Sequence, residues 1–145
     1  MLREISAPMV LCGHTHLRAV NIVEGKRVVN PGSCGLPLGT PGRTQFALLR
    51  LEADAWREEM LEASYDAAAA VRELEESGLT RRAPVWTAMT REVLLTGVGH
   101  FDRVLIRARE LYEQETGTGR FSQISEKYWE QAAAEAGVGE SRSPV

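Results

Sequence analysis

Several kinds of residue that define whole protein classes are scarce in this chain. Its two cysteines, Cys12 and Cys34, are too few for a disulfide framework and too far apart for a CxxC zinc knuckle. No stretch approaches the roughly 20 apolar residues that span a bilayer, and the N-terminus lacks the order of a signal peptide. No dense run of lysine and arginine marks a nucleic-acid surface. We therefore expect a cytoplasmic protein with neither a membrane nor a nucleic-acid partner.

The composition is that of a folded globular protein. Of the 145 residues, 43% are hydrophobic and 26% are charged. A chain of this length can bury a core without the help of disulfide bonds or structural metal ions. The net charge of −3 is unevenly distributed, since residues 1–50 hold six basic residues against two glutamates and the remainder hold eleven against eighteen acidic ones. The positive excess in the first part favours an anionic ligand such as phosphate.

Residues 1–66 have the pattern of strands separated by turns. The predicted elements are a buried strand over Pro8–Cys12, a hairpin of Arg18–Val23 and Lys26–Val29 turning at Glu24-Gly25, a constrained loop over 30–42, and a hairpin of Thr44–Leu51 and Trp56–Ala63. The Glu24-Gly25 pair indicates a two-residue turn, because glycine readily adopts the positive φ that such turns need.

The composition changes after residue 66 to that of helices, which we expect to extend to residue 136. We predict helices over Ala67–Ser77 with Asp66 as N-cap, Val85–Leu95 opened by Pro84, Phe101–Glu115, and a last helix capped by Ser122 and ending at Ala136. Residues 137–145 are predicted to form a flexible tail. The fold class is thus α/β of the α+β kind, with mostly antiparallel strands followed by three to four helices.

The segment Cys12-Gly13-His14-Thr15-His16 places two imidazoles two residues apart just past the end of a strand. A tight turn there directs both rings to one point, and histidine is the commonest metal-binding side chain at neutral pH. Gly13 allows the backbone to pass close to a metal or a phosphate. The alternative is a pair of surface histidines on a turn, which is the commoner origin of an isolated HxH.

The histidine segment is followed by a β-hairpin and then by Asn30-Pro31-Gly32-Ser33. This series resembles the calcineurin-like metallophosphoesterases, especially the small bacterial and archaeal phosphodiesterase branch, whose last metal motif is GHTH followed by NPGS. The resemblance extends over Met9 to about Asp66. It implies the C-terminal half of an α/β/β/α sandwich that hydrolyses phosphate monoesters or diesters, with a small phosphate ester or a nucleotide as substrate.

The resemblance also implies a binuclear centre of manganese, iron, zinc or nickel. His16 would ligate the first metal and His14 the second, and the two ions would polarise a phosphoryl oxygen and activate the attacking water. Asn30 and Ser33, with Gly13 and Gly32, would support the histidine loop, although these residues are equally typical of a simple turn. No catalytic acid or base is assigned.

The family's other motifs, DxH, GDxxD and GNHD or GNHE, do not occur in this sequence, whose first aspartate is Asp54. We therefore expect activity only if the N-terminal half of the site is supplied, by a complementing chain or in a homo-oligomer. The alternative is a catalytically inactive fragment or a binding module of the same fold. Two other features are predicted to be structural: His100, and Cys12 and Cys34 as small buried residues.

Overall fold

The computed structural model describes residues 2–139. Its five strands form two sheets, and they are β1 (Met9–Leu11), β2 (Ala19–Val23), β3 (Lys26–Asn30), β4 (Arg43–Glu52) and β5 (Ala55–Ser64). The helices are α1 (Ala67–Glu76), α2 (Leu79–Arg82), α3 (Pro84–Thr96), α4 (Phe101–Thr116) and α5 (Glu126–Ala136). Two 3₁₀ turns add Leu2–Glu4 and Phe121–Gln123. The predicted α+β class is confirmed, but the described residues form five helices rather than three to four.

The first sheet has the strand order β1-β3-β2. β2 pairs with β3 antiparallel, with Ala19 opposite Asn30, and β1 pairs with β3 parallel, with Leu11 opposite Val29. Because β3 lies between them, the segment from β1 to β2 must cross the C-terminal end of β3. That crossing carries the two histidines of the HxH motif.

Both predicted hairpins are confirmed, and their turns explain their registers. Glu24 and Gly25 have φ of 52° and 77°, while Ala53 and Asp54 have φ of 46° and 64°. Positive φ at both central residues is the geometry of a two-residue type I′ turn, which suits the twist of antiparallel strands. Accordingly, β4 and β5 pair along their full length, from Arg43 opposite Ser64 to Glu52 opposite Ala55.

The hydrophobic core lies among the helices. It is built from α3, α4, α5 and the residue Ile124, and its members are Val85, Met89, Val104, Ala108, Tyr112, Ile124, Tyr128, Ala132 and Ala133. The rings of Tyr112 and Tyr128 meet edge to face with centroids 5.4 Å apart, a favourable arrangement of aromatic quadrupoles.

Several predictions about the helices were wrong in detail. The last helix begins at Glu126 and not after Ser122, because the chain turns at Phe121–Gln123 and then extends through Ile124. Ile124 is 9% exposed, so its burial against the core fixes that extended segment. The short helix α2 was not predicted, since four residues carry no periodicity.

The predicted strand Pro8–Cys12 was expected to be buried, and this was wrong. β1 spans only Met9–Leu11, has no partner on its outer side within the described part of the chain, and leaves Leu11 56% exposed. The strands all lie within 1–66 and the five helices within 67–136. In the predicted tail, the Val138 amide donates to Ala133 O, and residues 140–145 lie outside the described residues. No helix in the described range is both long and apolar enough to cross a membrane.

Candidate metal centre

The two histidines of the HxH motif adopt an uncommon backbone conformation. Within residues 2–139, five non-glycine residues have positive φ, and three of them lie in the two hairpin turns. The other two are His14 and His16, with φ of 74° and 58°. For a residue with a Cβ the left-handed region costs about 1–2 kcal/mol, and such residues concentrate at functional sites. The surrounding structure must therefore hold the histidine loop, residues 13–17, in this shape.

Asn30 holds the histidine loop through hydrogen bonds of its side chain. It ends β3 under the crossing segment and is only 6% exposed. Its Nδ2 donates to Thr15 Oγ1 at 2.9 Å and to Gly13 O at 3.4 Å, while its Oδ1 accepts from the Gly32 amide at 3.0 Å. One buried amide thus ties the histidine loop to the loop that follows β3.

His16 is the better anchored of the two histidines. Its ring is half-buried, and Nδ1 lies 3.3 Å from the carbonyl oxygen of Leu36. A carbonyl oxygen only accepts hydrogen bonds, so this contact requires the proton on Nδ1 and leaves a lone pair on Nε2 of the neutral ring. Histidines that ligate metals show the same arrangement, with one nitrogen donating to a carbonyl and the other facing the ion. His14 is exposed.

Ser33 acts on this arrangement through Leu36 and not on the histidine loop directly. Its Oγ accepts from the Leu36 amide at 2.9 Å, within the same turn. Gly32 next to it has φ of 90°, and a Cβ there would overlap the side chain of Gln45. Glycine is therefore required at this position for two reasons, the conformation and the space.

Gln45 is a residue of this region that was not predicted from the sequence. It is 3% exposed, and its amide bonds to the loop between β3 and β4 at three points, Ser33, Leu38 and Thr40. A signal was present, because Gln45 falls in phase with Ala47 and Leu49 on the inward face of β4. A glutamine in an inward series of apolar residues predicts a buried amide that needs partners.

Three basic residues of the strand region are paired with glutamates of β5. Glu62 binds Arg18 at 2.7 Å and Arg43 at 3.3 Å, and Glu58 binds Arg27 at 3.1 Å. The positive excess of residues 1–50 is thus largely neutralised within the β region, which weakens the expectation that it attracts an anion. The pair of Arg18 and Glu62 ties the segment after His16 to the second hairpin.

Three other singled-out residues stay outside the histidine loop. Cys12 and Cys34 are exposed, which contradicts their prediction as buried residues. Cys12 lies beyond the end of the edge strand β1, and Cys34 lies in the loop after β3, so neither reaches a packed interior. His100 precedes α4, where its Nε2 is 3.1 Å from Glu92 Oε1.

The histidine pair fits part of a metal centre. Neutral imidazoles suit manganese, iron, zinc and nickel, and the anchored Nδ1 of His16 leaves Nε2 available. A catalytic zinc site normally has three protein ligands, however, and no group of three histidine, cysteine, aspartate or glutamate side chains in the described range can hold a metal ion. The histidine loop therefore offers at most two of the ligands that such a centre needs.

Comparison with known protein families gives a match for part of the chain. A family model described as the calcineurin-like phosphoesterase superfamily domain matches residues 2–54 of the 145. The match covers the first sheet, the loop after β3, and β4, and it leaves out β5 and all five helices. Comparison with curated proteins and with solved structures gave no match. Calcineurin-like phosphoesterases are generally metal-dependent enzymes that act on phosphate esters, and the matched range includes both histidines.

Proposed function

We propose that this chain carries the histidine-bearing part of a metallophosphoesterase centre, in which His14 and His16 ligate divalent metal. The observation that carries the proposal is the backbone of the histidine loop. Outside the two hairpin turns, the described non-glycine residues with positive φ are these two histidines, and His16 has its Nδ1 on Leu36 O and its Nε2 free. Such a loop presents ligands rather than merely turning the chain.

The reaction we propose is hydrolysis of a phosphate monoester or diester, with a small molecule or nucleotide as substrate. Divalent ions bound at such a site polarise a phosphoryl oxygen. The chain's own contribution is to hold the two imidazoles, through Asn30 beneath them and through the Leu36 carbonyl beside His16. The described residues form no group of three metal-binding side chains, so the centre needs further ligands, carboxylates above all, from outside this set.

Hydrolysis of p-nitrophenyl phosphate and bis-p-nitrophenyl phosphate tests this proposal directly. The purified chain is assayed with manganese, iron, zinc or nickel beside the His14→Ala, His16→Ala double variant. The matched control is His100→Gln, which removes the third histidine at a place outside the loop. We expect any activity of the unaltered chain to fall to background in the double variant and to persist in the control. Equal turnover in all three proteins would remove the metal-site assignment.

The second candidate is a non-catalytic binding module of the same fold. It is favoured by the apolar side chains that the strands leave exposed, among them Leu11 at 56%, Ile22 at 66% and Trp56 at 44%. Exposed apolar surface of this kind is more typical of an interaction surface than of an isolated enzyme. Inactivity of the purified chain with every metal would favour this candidate.

A further inference from the structure

The loop between β3 and β4, residues 31–42, is organised around one buried amide. Gln45 Oε1 accepts from the Ser33 amide at 3.4 Å, and its Nε2 donates to Leu38 O at 2.9 Å and to Thr40 Oγ1 at 3.0 Å. The Gln45 backbone adds a bond from its own amide to Ser33 O at 3.1 Å. Every polar atom of the side chain is therefore used on this loop.

These contacts lie on both sides of Leu36. Ser33 precedes it and Leu38 follows it, so the stretch that carries the Leu36 carbonyl is held at its two ends by the same side chain. Ser33 Oγ then fixes the Leu36 amide from within the turn. The direction of the Leu36 carbonyl follows from these restraints.

The Leu36 carbonyl is the group that decides which ring nitrogen of His16 carries the proton. Its oxygen lies 3.3 Å from Nδ1, and only the Nδ1–H form donates to it. If the carbonyl turned away, the neutral ring would be free to place its proton on either nitrogen. A ring protonated on Nε2 offers a metal only Nδ1, which faces a different direction.

We propose that Gln45 is a positioning residue that sets the Nδ1–H tautomer of His16 through the loop carrying Leu36. It touches neither metal nor substrate. Its effect on metal binding rests on the proposed function, whereas its effect on the tautomer does not. Gln45 thus joins Asn30 as a second buried amide that shapes the histidine site, from the side of β4 rather than β3.

The test uses the Gln45→Met variant, which keeps the approximate shape of the side chain and removes all three of its hydrogen bonds. Nitrogen-15 NMR of the histidine rings, recorded on the full metal-free chain at about pH 8.5, reports the tautomer of a neutral imidazole. In the unaltered protein we expect His16 to be protonated on Nδ1. In Gln45→Met we expect a mixture of both tautomers.

Two further variants separate positioning from stability. Val93→Ala opens a cavity at a fully buried site in α3 and serves as the control for lost stability. We expect it to leave the His16 tautomer unchanged. If Gln45→Met does not fold, Gln45→Glu decides, because it keeps the acceptor for Ser33 and loses both donors. A mixed His16 tautomer in Gln45→Glu supports the proposal, and an unchanged one overturns it.

Zinc titration of the same proteins links the tautomer to metal binding. A neutral ring that carries its proton on Nδ1 for only part of the time binds metal more weakly in proportion to that fraction, and we expect Gln45→Met to weaken zinc binding by about two- to fivefold. A changed tautomer without zinc binding in any variant would retain the positioning role and contradict the proposed metal centre. A His16 protonated on Nε2 in the unaltered protein, or an unchanged tautomer in Gln45→Met, would overturn the positioning role.

Discussion

The strand region and the helical region of this chain bury different kinds of residue. Among the helices the buried residues are mostly apolar, and most of them belong to one cluster, in which Val104, Ala108 and Ala132 are fully enclosed. In the strand region the buried set includes the amides Asn30 and Gln45, which are 6% and 3% exposed. Large apolar side chains of the strands remain at the surface. The helical region is thus built for stability, and the strand region for the shape of its loops.

The largest effect is expected when a large apolar side chain is removed from each region, which tests the difference in burial between them. Met89→Ala, in the helical core, should lower the free energy of unfolding by about 3–4 kcal/mol, because it leaves a cavity. Leu51→Ala, at a position 58% exposed in β4, should change it by no more than about 0.5 kcal/mol. Urea unfolding of both variants measures the difference. Equal losses would contradict the difference in burial between Met89 and Leu51.

A smaller effect is expected from crowding the loop after β3. Gly32→Ala should cost about 2–3 kcal/mol, since a Cβ there combines a positive φ with overlap on Gln45. Gly25→Ala is the matched control, because φ is 77° there and no atom lies within 4 Å of the added Cβ. It should cost only about 1 kcal/mol. Thermal unfolding of both variants measures these costs. Equal losses of stability in the two variants would contradict close packing at Gly32.

The amide beneath the histidine loop should matter somewhat less for stability. Asn30→Ala removes the bonds to Thr15 and Gly32 and should cost about 1–2 kcal/mol. Asn21→Ala, at an exposed position of the neighbouring strand β2, is the control and should be nearly neutral. Hydrogen exchange of the amides from Gly13 to Leu17 should accelerate in the first variant alone. Unchanged exchange there would show that Asn30 does not hold the loop.

The smallest expected effect is that of surface ion pairs on the helical region. Hydrogen bonds from Arg107 and Gln131 hold the pKa of Glu135 below its usual value. The stabilisation by this carboxylate is therefore present above the ordinary glutamate pKa and is lost as the pH falls through the lowered one. Melting temperatures of the unaltered protein and Glu135→Gln should differ slightly at about pH 6 and converge at about pH 3. A difference that persists at acid pH would contradict this.

Local signals in the sequence account for most of the secondary structure. The helix over Ala67–Glu76 follows from Asp66, whose carboxylate accepts from the Ala69 amide at 2.9 Å, and Pro84 marks the start of α3. Gly97 and Gly117 end α3 and α4 in the left-handed conformation. Such caps act within a few residues, so a sequence shows them directly.

Burial and long-range polar contacts were harder to predict. Trp86 and Leu105 fall on the helical spacing that is typical of core positions, but they are 42% and 43% exposed. Helical spacing shows which side chains lie along one face of a helix. The element that packs against this face determines how much of it is buried. Asn30 was expected to support the histidine loop from the family resemblance alone, and Gln45 was missed because its partners lie in a loop whose path depends on tertiary contacts.

We propose that His14 and His16, but not His100, bind metal. The most direct test is NMR of the three histidine rings of the full chain during titration with zinc. We expect the ring signals of His14 and His16 to shift together, with His16 affected at Nε2, while those of His100 stay in place. Ring signals of His14 and His16 that do not respond to zinc, or a response shared equally by His100, would contradict it.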